Sequence, residues 1–362
     1  MSEWKEYKLG EIVSFGNGKE RPKEKGAIPV YGGNGILDYT NDSNYSGETI
    51  VIGRVGAYCG SVYYTNIPIW VSDNALAVKT KEENDTKFIY YYLYHLNLND
   101  YAEGSSHPLV TQRLLNSIDI KIPTCLTEQK QIASILSSLD DKIDLLNREN
   151  VTLEAMAKTL FRQRFIEEAK EDWEEVALGD VVKTTSGGTP SRKHPDYYNN
   201  GTIYWVKSKE LQGSFISSTE EMITEDAMNN SSAKLLLEKT VLIAMYGATV
   251  GEYGILSKPM TCNQAVCALI PNDNYPYTYL YLWTAFMKQE FINLATGAAQ
   301  QNISQDLIKQ QMVSGDIERI KKYHKHVCAF FDKMECNQKQ IMILSRQRDI
   351  LLPKLMSNSN IV

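Results

Sequence analysis

The feature that most constrains this fold is a long periodic stretch from Thr127 to Arg164. No Pro or Gly occurs between Thr124 and Glu174, so a single helix about 57 Å long is expected. Because such a rod cannot bury an apolar stripe alone, it requires a partner helix. Its apolar residues recur in alternating steps of four and three, which is the spacing of a coiled-coil seam, at Ile132, Leu136, Leu139, Ile143, Leu146, Leu153, Ala157 and Leu160, with Asn150 at one seam position.

A second copy of this pattern is expected because the sequence is duplicated. Trp4–Val13 recurs as Trp173–Val182, and each segment is interpreted as a strand that carries a Leu-Gly-acid motif. Thr49–Gly60 recurs as Thr240–Gly251, which predicts a glycine hairpin or bulge in each copy. The other repeated features are the turns Ser72–Ala75 and Cys262–Ala265, the predicted aromatic helices Phe88–Tyr94 and Tyr277–Trp283, and the polar loops Glu103–Pro108 and Thr296–Asn302.

Each copy ends in a predicted long helix, because the seam spacing returns near the C-terminus. In an antiparallel pair of helices, one register places Asn150 opposite Asn337 and Ala157 opposite Phe330. A buried Asn without a partner costs about 1–3 kcal/mol, which favours this register. Cysteines that replace Ala157 and Phe330 are therefore expected to crosslink. The second seam consists of Tyr323, Val327, Phe330, Met334, Asn337, Ile341, Leu344, Arg348 and Leu351.

The duplicated order predicts an α+β protein. Two similar globular α/β domains are separated by two long helices, which form an antiparallel coiled coil with pseudo-two-fold symmetry. The predicted boundaries are 1–124 for the first domain, 125–170 for the first long helix, 171–316 for the second domain and 317–362 for the second long helix. With 43% apolar residues, the chain can build a core in each domain.

Composition indicates a reducing, aqueous compartment. The six cysteines include no CxxC pair, the start resembles no secretory signal, and no apolar run approaches the roughly 20 residues of a membrane span. We therefore expect free thiols, no membrane association and a cytoplasmic location. The net charge of −6 argues against a uniformly basic nucleic-acid binder, so local patches matter more than the sum.

Motifs for catalysis are missing from the sequence. It has no Gly-rich Lys-Ser/Thr phosphate loop, no Gly-x-Ser-x-Gly elbow, no His-Glu-x-x-His helix and no Asn/Asp-Pro-Pro-aromatic tetrapeptide of amino-methyltransferases. His324, His326 and Cys328 lie close together but lack further ligands, so no metal site is predicted.

Three charged residues of the long helices, two beside the first seam and one within the second, are predicted to face water. Asp140 and Lys142 fit the end of a nuclease-type Asp/Glu-x-Lys signature, but no strand or second acid stands beside them, so they are interpreted as solvated helix charges. Arg348 falls opposite Leu139 and is expected to reach solvent past its long stem.

Polar loops in both copies carry side chains that suit a phosphodiester backbone. Thr184–His194 and Gly16–Arg21 follow the two Leu-Gly-acid motifs, and their glycines are expected to let backbone N–H groups approach phosphate while Arg and Lys supply charge. Residues 183–209 include five bases against one acid, and residues 19–25 include four against two. Arg54 and Tyr246 are placed at equivalent loop positions of the glycine hairpins, where an Arg can contact guanine or phosphate.

For any single loop residue, a solvated surface position is the competing interpretation. Amides in the second copy have the donor and acceptor pairs that adenine edges need. The candidate DNA-binding residues are Lys19, Arg21, Lys23, Arg54, Tyr58, Ser106 and His107 in the first copy, and Ser186, Thr189, Arg192, Lys193, Lys207, Lys209, Tyr246, Gln300, Gln301 and Asn302 in the second.

The order of domain, long helix, domain and long helix resembles the specificity (S) subunit of type I restriction–modification enzymes. Typical signatures are Ser186–Ser191 (SGGTPS), Gly247–Gly251 (GATVG), and Ile122–Pro123 followed by Glu128–Ile132 (EQKQI). The resemblance covers essentially the whole chain. The second copy departs from the pattern at 314–317, where Ile-Pro is lost, and this affects the boundary of the second helix.

The resemblance implies that each domain is a target recognition domain reading one half of a bipartite, asymmetric site in double-stranded DNA. The helices would space the halves and dock two methyltransferase (M) subunits, and restriction/translocase (R) subunits would complete the complex. The chain itself would be non-catalytic and hold no cofactor, while S-adenosylmethionine, ATP and Mg would belong to the partner subunits. The alternative is a scaffold or protein-interaction subunit on the same coiled-coil rod, without DNA binding.

Overall fold

A computed structural model of the chain describes residues 3–81, 83–104, 108–170, 173–295 and 301–357. The chain divides into two compact units, residues 1–143 with 343–362 and residues 144–342. Both long helices cross this division, so each unit contains strands and short helices together with a segment of each long helix. None of the helices in the described ranges is long and apolar enough to cross a membrane.

The described residues of the first unit form three small sheets, which have the strand orders β2-β8-β5-β6, β4-β3-β7 and β1-β9. Its strands are β1 (Trp4–Lys8), β2 (Val13–Asn17), β3 (Ile28–Gly32), β4 (Gly35–Thr40), β5 (Thr49–Gly53), β6 (Val62–Thr65), β7 (Trp70–Val71), β8 (Ala75–Thr80) and β9 (Asp119–Pro123). Its helices are α1 (Leu9–Ile12), α2 (Thr86–His95), α3 (Gln112–Ser117) and the first part of α4 (Leu126–Arg162).

The core of the first unit lies between the β2-β8-β5-β6 sheet and helix α2. Helix α2 begins after Asp85, whose side chain accepts a hydrogen bond from the Phe88 amide at 2.8 Å. Phe88 and Leu93 are fully buried in one apolar cluster with Ile50 of β5. Val51, the next residue of β5, is buried in a second cluster. Strand β5 is therefore covered on both faces, which explains its continuous apolar sequence.

The second unit repeats these sheets as β11-β18-β15-β16-β13, β14-β12-β17 and β10-β19. Its strands are β10 (Glu175–Ala177), β11 (Lys183–Ser186), β12 (Ile203–Val206), β13 (Ser214–Ile216), β14 (Met222–Ile223), β15 (Val241–Ala244), β16 (Tyr253–Leu256), β17 (Thr261–Cys262), β18 (Val266–Ile270) and β19 (Met312–Ser314). Its helices are α5 (Leu178–Val181), α6 (Glu225–Asn229), α7 (Tyr277–Leu294), α8 (Gln305–Lys309) and parts of α4 and α9 (Ile317–Met356).

The predicted fold class is confirmed. Strand orders match sheet by sheet, and the second unit adds β13, which pairs in parallel with β16. The repeated glycine hairpins are antiparallel strand pairs in both units, and both aromatic segments lie on helices. The prediction of a strand at the Leu-Gly-acid motifs is wrong, because each motif forms a short helix. In α1, Leu9 is fully buried and the Glu11 carboxylate accepts the Lys8 amide at 2.6 Å.

The two long helices bring the asparagines of the predicted register into contact. The Asn337 side-chain amide donates to the Asn150 side-chain oxygen at 2.9 Å and to a Glu149 carboxylate oxygen at 2.9 Å. Toward the other end of the same unit, Arg319 donates to the Arg164 carbonyl at 3.0 Å, so the two helices run antiparallel. After Arg162 the chain makes one π-helical turn, Gln163–Glu167.

Ala157 is fully buried beside α9, where the Tyr323 hydroxyl donates to the Ala157 carbonyl at 3.1 Å. Phe330, the predicted partner of Ala157, is half-buried against the same apolar cluster. Phe331, which lies outside the predicted seam, is fully buried. Its ring packs edge-on against Tyr281 of α7, with centroids 5.4 Å apart, so it secures the domain rather than the seam.

Asp140 and Arg348 both lie in the first unit. The prediction that they face water is wrong, because they form an ion pair. An Arg348 terminal nitrogen donates to Asp140 at 2.9 Å, and the side chains are only 23% and 29% exposed. The Tyr91 hydroxyl of α2 donates to the other Asp140 oxygen at 2.7 Å. Asp140 thus joins α2, α4 and α9 within this unit.

Candidate nucleic-acid interface

The turn between β17 and β18 gathers the predicted loops of the second unit. The Cys262 carbonyl accepts the Gly188 amide at 2.9 Å, and the Asn263 amide donates to Val206 at 2.9 Å. The Ala265 carbonyl accepts the amide of Met245, at the base of the glycine hairpin, at 2.8 Å. Three loops that are far apart in sequence therefore meet at four consecutive residues.

The first unit has the same arrangement around the turn between β7 and β8. Lys19 forms a bridge with Ser72, and its amide donates to the Val71 carbonyl at 3.0 Å. The Arg54 amide donates to the Asn74 carbonyl at 2.9 Å. The repeated Ser72–Ala75 and Cys262–Ala265 turns were the sequence signal for this meeting point, but their sequence did not indicate which loops they hold.

The glycines of the two loops serve close packing instead of phosphate approach, which corrects the sequence interpretation. A Cβ on Gly187 would lie 2.0 Å from the Cys262 carbonyl oxygen, and one on Gly18 would lie 1.7 Å from the Ser72 oxygen. The Gly188 amide is used by Cys262, and the Gly18 amide donates to Ala75 at 3.3 Å. Only glycine allows the loop backbone to lie against the turn.

Arg192 is held in one orientation by its neighbours. Its two terminal nitrogens donate to the two carboxylate oxygens of Glu221, each at 2.8 Å. The guanidinium carbon lies 3.9 Å from the centre of the Tyr198 ring. Tyr198 is itself fixed, because its hydroxyl donates to the Pro190 carbonyl at 2.6 Å. The Arg192 side chain remains 53% exposed.

Two glutamates that are distant in sequence offset the basic stretch 183–209. Lys207 binds Glu220 at 3.1 Å and Glu221 at 2.8 Å, and Lys209 also binds Glu220, at 2.6 Å. The hydrogen bonds from Arg192 and then Lys207 lower the pKa of Glu221 to about 2, so this carboxylate is ionised at neutral pH. Lys207 is only 19% exposed, which makes it an internal cation, whereas Lys209 is 57% exposed.

The other candidates of this loop differ in their surroundings. Lys193 and Thr189 are exposed, and the Thr189 hydroxyl donates to the side-chain oxygen of Gln264 in the turn. Ser186 is half-buried on β11, where it pairs with Cys267.

The glycine hairpin of the second unit meets the amide-rich loop. Tyr246 forms a bridge with Asn302, and the Gly247 amide donates to the Gln301 carbonyl at 2.8 Å. Tyr246, Gln301 and Asn302 are exposed, so three predicted residues lie together on the surface. Gln300 is outside the described residues.

The predicted equivalence of Arg54 with Tyr246 is wrong, because Val55 occupies the position of Tyr246 in the hairpin of the first unit. Val55 forms the bridge to the following loop, at Leu109, just as Tyr246 does at Asn302. Arg54 instead corresponds to Met245, because each donates its amide to the turn. Ser106 and His107 lie outside the described residues.

The remaining candidates of the first unit lie on its surface. Tyr58 is 51% exposed, Lys19 and Lys23 are exposed, and Arg54 is half-buried. Arg21 makes a long contact, 3.8 Å, with Asp38. None of these positions has a carboxylate contact comparable to that of Arg192 in the described ranges. Whether any candidate in either unit touches DNA stays a prediction.

The described part of the chain contains no group of three or more His, Cys, Asp or Glu residues that could hold a metal ion. His324 is instead half-buried on α9, where its Nδ1 lies 2.9 Å from the Thr278 hydroxyl. Burial lowers the pKa of His324.

The fold and the two loop clusters define a duplicated recognition protein, with one polar surface on each of two similar scaffolds. The chain belongs to the family described as the type I restriction modification DNA specificity domain, whose model matches residues 1–155 and again residues 170–314. This duplication in the family match agrees with the duplication of the sheets.

Relatives and a solved structure agree with this assignment. The chain is 26% identical over 322 residues to the type I restriction enzyme MjaIX specificity subunit of Methanocaldococcus jannaschii, covering 82% of this chain and 74% of the relative. It is 24% identical over 337 residues to the HindI specificity subunit of Haemophilus influenzae, covering 71% and 72%. The crystal structure of a type I restriction-modification S subunit from M. genitalium has the same fold, with a TM-score of 0.68, 18% identity and coverage of 98% and 96%.

Proposed function

We propose that this chain selects the DNA sequence for a type I restriction–modification complex, with each domain reading one half of a bipartite, asymmetric site in double-stranded DNA. The observation that carries the proposal is the repeated, turn-centred loop cluster, present once within each segment that the DNA specificity family matches. Similar scaffolds with different polar side chains suit two different half-sites.

The long helices are proposed to fix the spacing between the half-sites and to dock two methyltransferase subunits. Helix α4 has 37 residues, which corresponds to about 55 Å. In this proposal the chain is a non-catalytic subunit in the cytoplasm. The methyltransferase subunits bind S-adenosylmethionine, and restriction/translocase subunits that use ATP and Mg complete the complex.

The test combines the full chain with methyltransferase subunits, S-adenosylmethionine and a library of randomised duplexes. Sequencing of the methylated molecules is expected to give one bipartite motif with a fixed spacer. Omission of the chain or of the methyltransferase subunits should abolish methylation. Methylation by the chain alone would show that it is catalytic, and methylation without any shared motif would contradict a role in sequence selection.

Modularity is tested with a chimera in which residues 1–124 come from another family member. The motif should change in one half-site only, and a change in both halves would contradict independent readout. The salt dependence of binding separates this function from a scaffold without DNA affinity. Each phosphate contact contributes a slope of about −0.9 to log affinity against log salt.

A further inference from the structure

We infer that Arg192 is a base-reading residue of the second domain, that it takes the O6/N7 edge of a guanine in the major groove, and that Glu221 is its positioning residue. The inference rests on the proposed function and names a specificity determinant within it. It starts from the guanidinium, which is half exposed and already fixed on its inner side.

Arg192 has more hydrogen-bond donors than Glu221 occupies. A guanidinium has five N–H bonds in one plane, and Arg192 uses one from each terminal nitrogen for Glu221. This end-on pairing leaves the Nε–H and the outer N–H of the neighbouring terminal nitrogen, which are parallel. They form a complete side-on edge for a second planar acceptor with two acceptor atoms. In the major groove, guanine presents such a pair at O6 and N7.

The orientation of the Arg192 guanidinium is set by Glu221 and Tyr198. Glu221 is held from behind, because its carbonyl accepts the Trp205 amide at 3.3 Å and the Thr219 hydroxyl at 2.6 Å. Lys207 holds its carboxylate at 2.8 Å. Tyr198 lies under the guanidinium plane. The side-chain entropy that a flexible arginine loses on binding has therefore largely been lost before DNA arrives.

The carboxylate beside Arg192 favours a base over a phosphate as its ligand. Glu221 compensates the charge of Arg192, so the pair offers little net charge for the release of counterions. A phosphate at the free edge of the guanidinium would also be repelled by the adjacent carboxylate. A guanine edge is uncharged and meets directed donors without that repulsion. Lys193, which is exposed and carries a point charge, suits phosphate better.

The experiment uses the full chain with its methyltransferase subunits and the randomised duplex library. Arg192→Lys keeps the charge and removes the planar pair of donors. It is expected to reduce the preference for guanine at one position of one half-site by about tenfold or more. The slope of log affinity against log salt should stay unchanged, and the other half-site should be recovered intact, which reports a folded complex.

Glu221→Gln tests whether Glu221 positions Arg192 or only neutralises its charge. Removal of the carboxylate frees the Arg192 charge, so affinity for unrelated DNA should rise and the salt slope should steepen, while the same guanine preference weakens. Arg319→Lys is the matched control, because Arg319 is also stacked, at 3.9 Å from the Trp173 ring, and bound to carboxylates, but lies on α9. Its motif should equal that of the wild type.

Two outcomes would overturn the inference. If Arg192→Lys selects the wild-type motif, Arg192 does not read a base. If Glu221→Gln weakens binding to all sequences equally and leaves the motif unchanged, Glu221 does not position a reader. Failure of the proposed function is distinct, because the wild-type chain itself would then select no motif.

Discussion

Replacement of Asp140 by Ala should destabilise the first unit far more than its place on a long, polar helix implies. The carboxylate accepts hydrogen bonds from Tyr91 at 2.7 Å and from Arg348 at 2.9 Å. Tyr91 is 4% exposed, so loss of Asp140 leaves its hydroxyl buried without this acceptor. Burial, and then the hydrogen bond to Asp140, raise the pKa of Tyr91, so this hydroxyl remains a donor at neutral pH.

The magnitude follows from these two contacts. A hydrogen bond to a charged group contributes about 1.5–3 kcal/mol, and a desolvated partner left behind adds to the loss. Arg348 keeps a second carboxylate, Asp349, at 2.9 Å, so its own cost is partly offset. We expect Asp140→Ala to lower the free energy of local opening by about 3 kcal/mol, and Tyr91→Phe to lower it by about 1.5 kcal/mol.

Native-state hydrogen exchange of peptides from α2 and α4 is the appropriate assay, because global unfolding of a chain with two units need not be two-state. The double substitution should cost about 1–2 kcal/mol less than the sum of the single ones, since both remove the same bond. Asp141→Ala, at the exposed neighbouring position, is the matched control. Equal effects of the two alanines, or strict additivity of Tyr91→Phe and Asp140→Ala, would refute the reasoning.

Three further predictions concern other sites. Leucine at both Asn150 and Asn337 should raise the thermal unfolding temperature, because it removes a polar pair in which Asn337 is fully buried and its side-chain oxygen has no hydrogen-bond partner among the described residues. Asn337→Ala alone should lower the unfolding temperature. Iodoacetamide should label Cys125 before Cys262. Cys125 is exposed and backbone hydrogen bonds, chiefly from the Glu128 amide, lower its pKa, whereas burial raises the pKa of Cys262 to about 12. Mass spectrometry that finds Cys262 labelled first in the folded chain would contradict this. The wild type should be more stable than Glu221→Gln by its full margin above pH 4.5, and this margin should shrink as the pH falls toward 2. The reason is that the folded state lowers the pKa of Glu221 from 4.5 to about 2. A urea titration in which the margin grows with acid would contradict this.

Features encoded locally or by repetition could be predicted from the sequence. The seam from Ile132 to Leu160 is buried or half-buried at every predicted position. The match of Asn150 with Asn337 selected the register, because the one amide side chain in each stripe must find a polar partner, and few registers bring the two together. The duplicated motifs predicted two equivalent hairpins and turns, and the strand orders of the two units agree with this.

The loop surface could be predicted only in part. The sequence indicated which loops are polar, but the sign of their charge depends on Glu220 and Glu221, which no local pattern links to Arg192. The pairing of Arg348 could not be predicted for the same reason, because its partner Asp140 lies on the other long helix. The glycines of the recognition loops were assigned to phosphate because their close contact with the Cys262 turn is a feature of packing.

The sequence by itself therefore determined the periodic helices, the duplication and the family, since these depend on residue spacing along the chain. Only the tertiary structure decided which charges remain available at the surface and which are paired inside it. The physical reason is that an ion pair or a stacked guanidinium depends on distances of about 3–4 Å between atoms, and folding creates those distances between residues far apart in sequence.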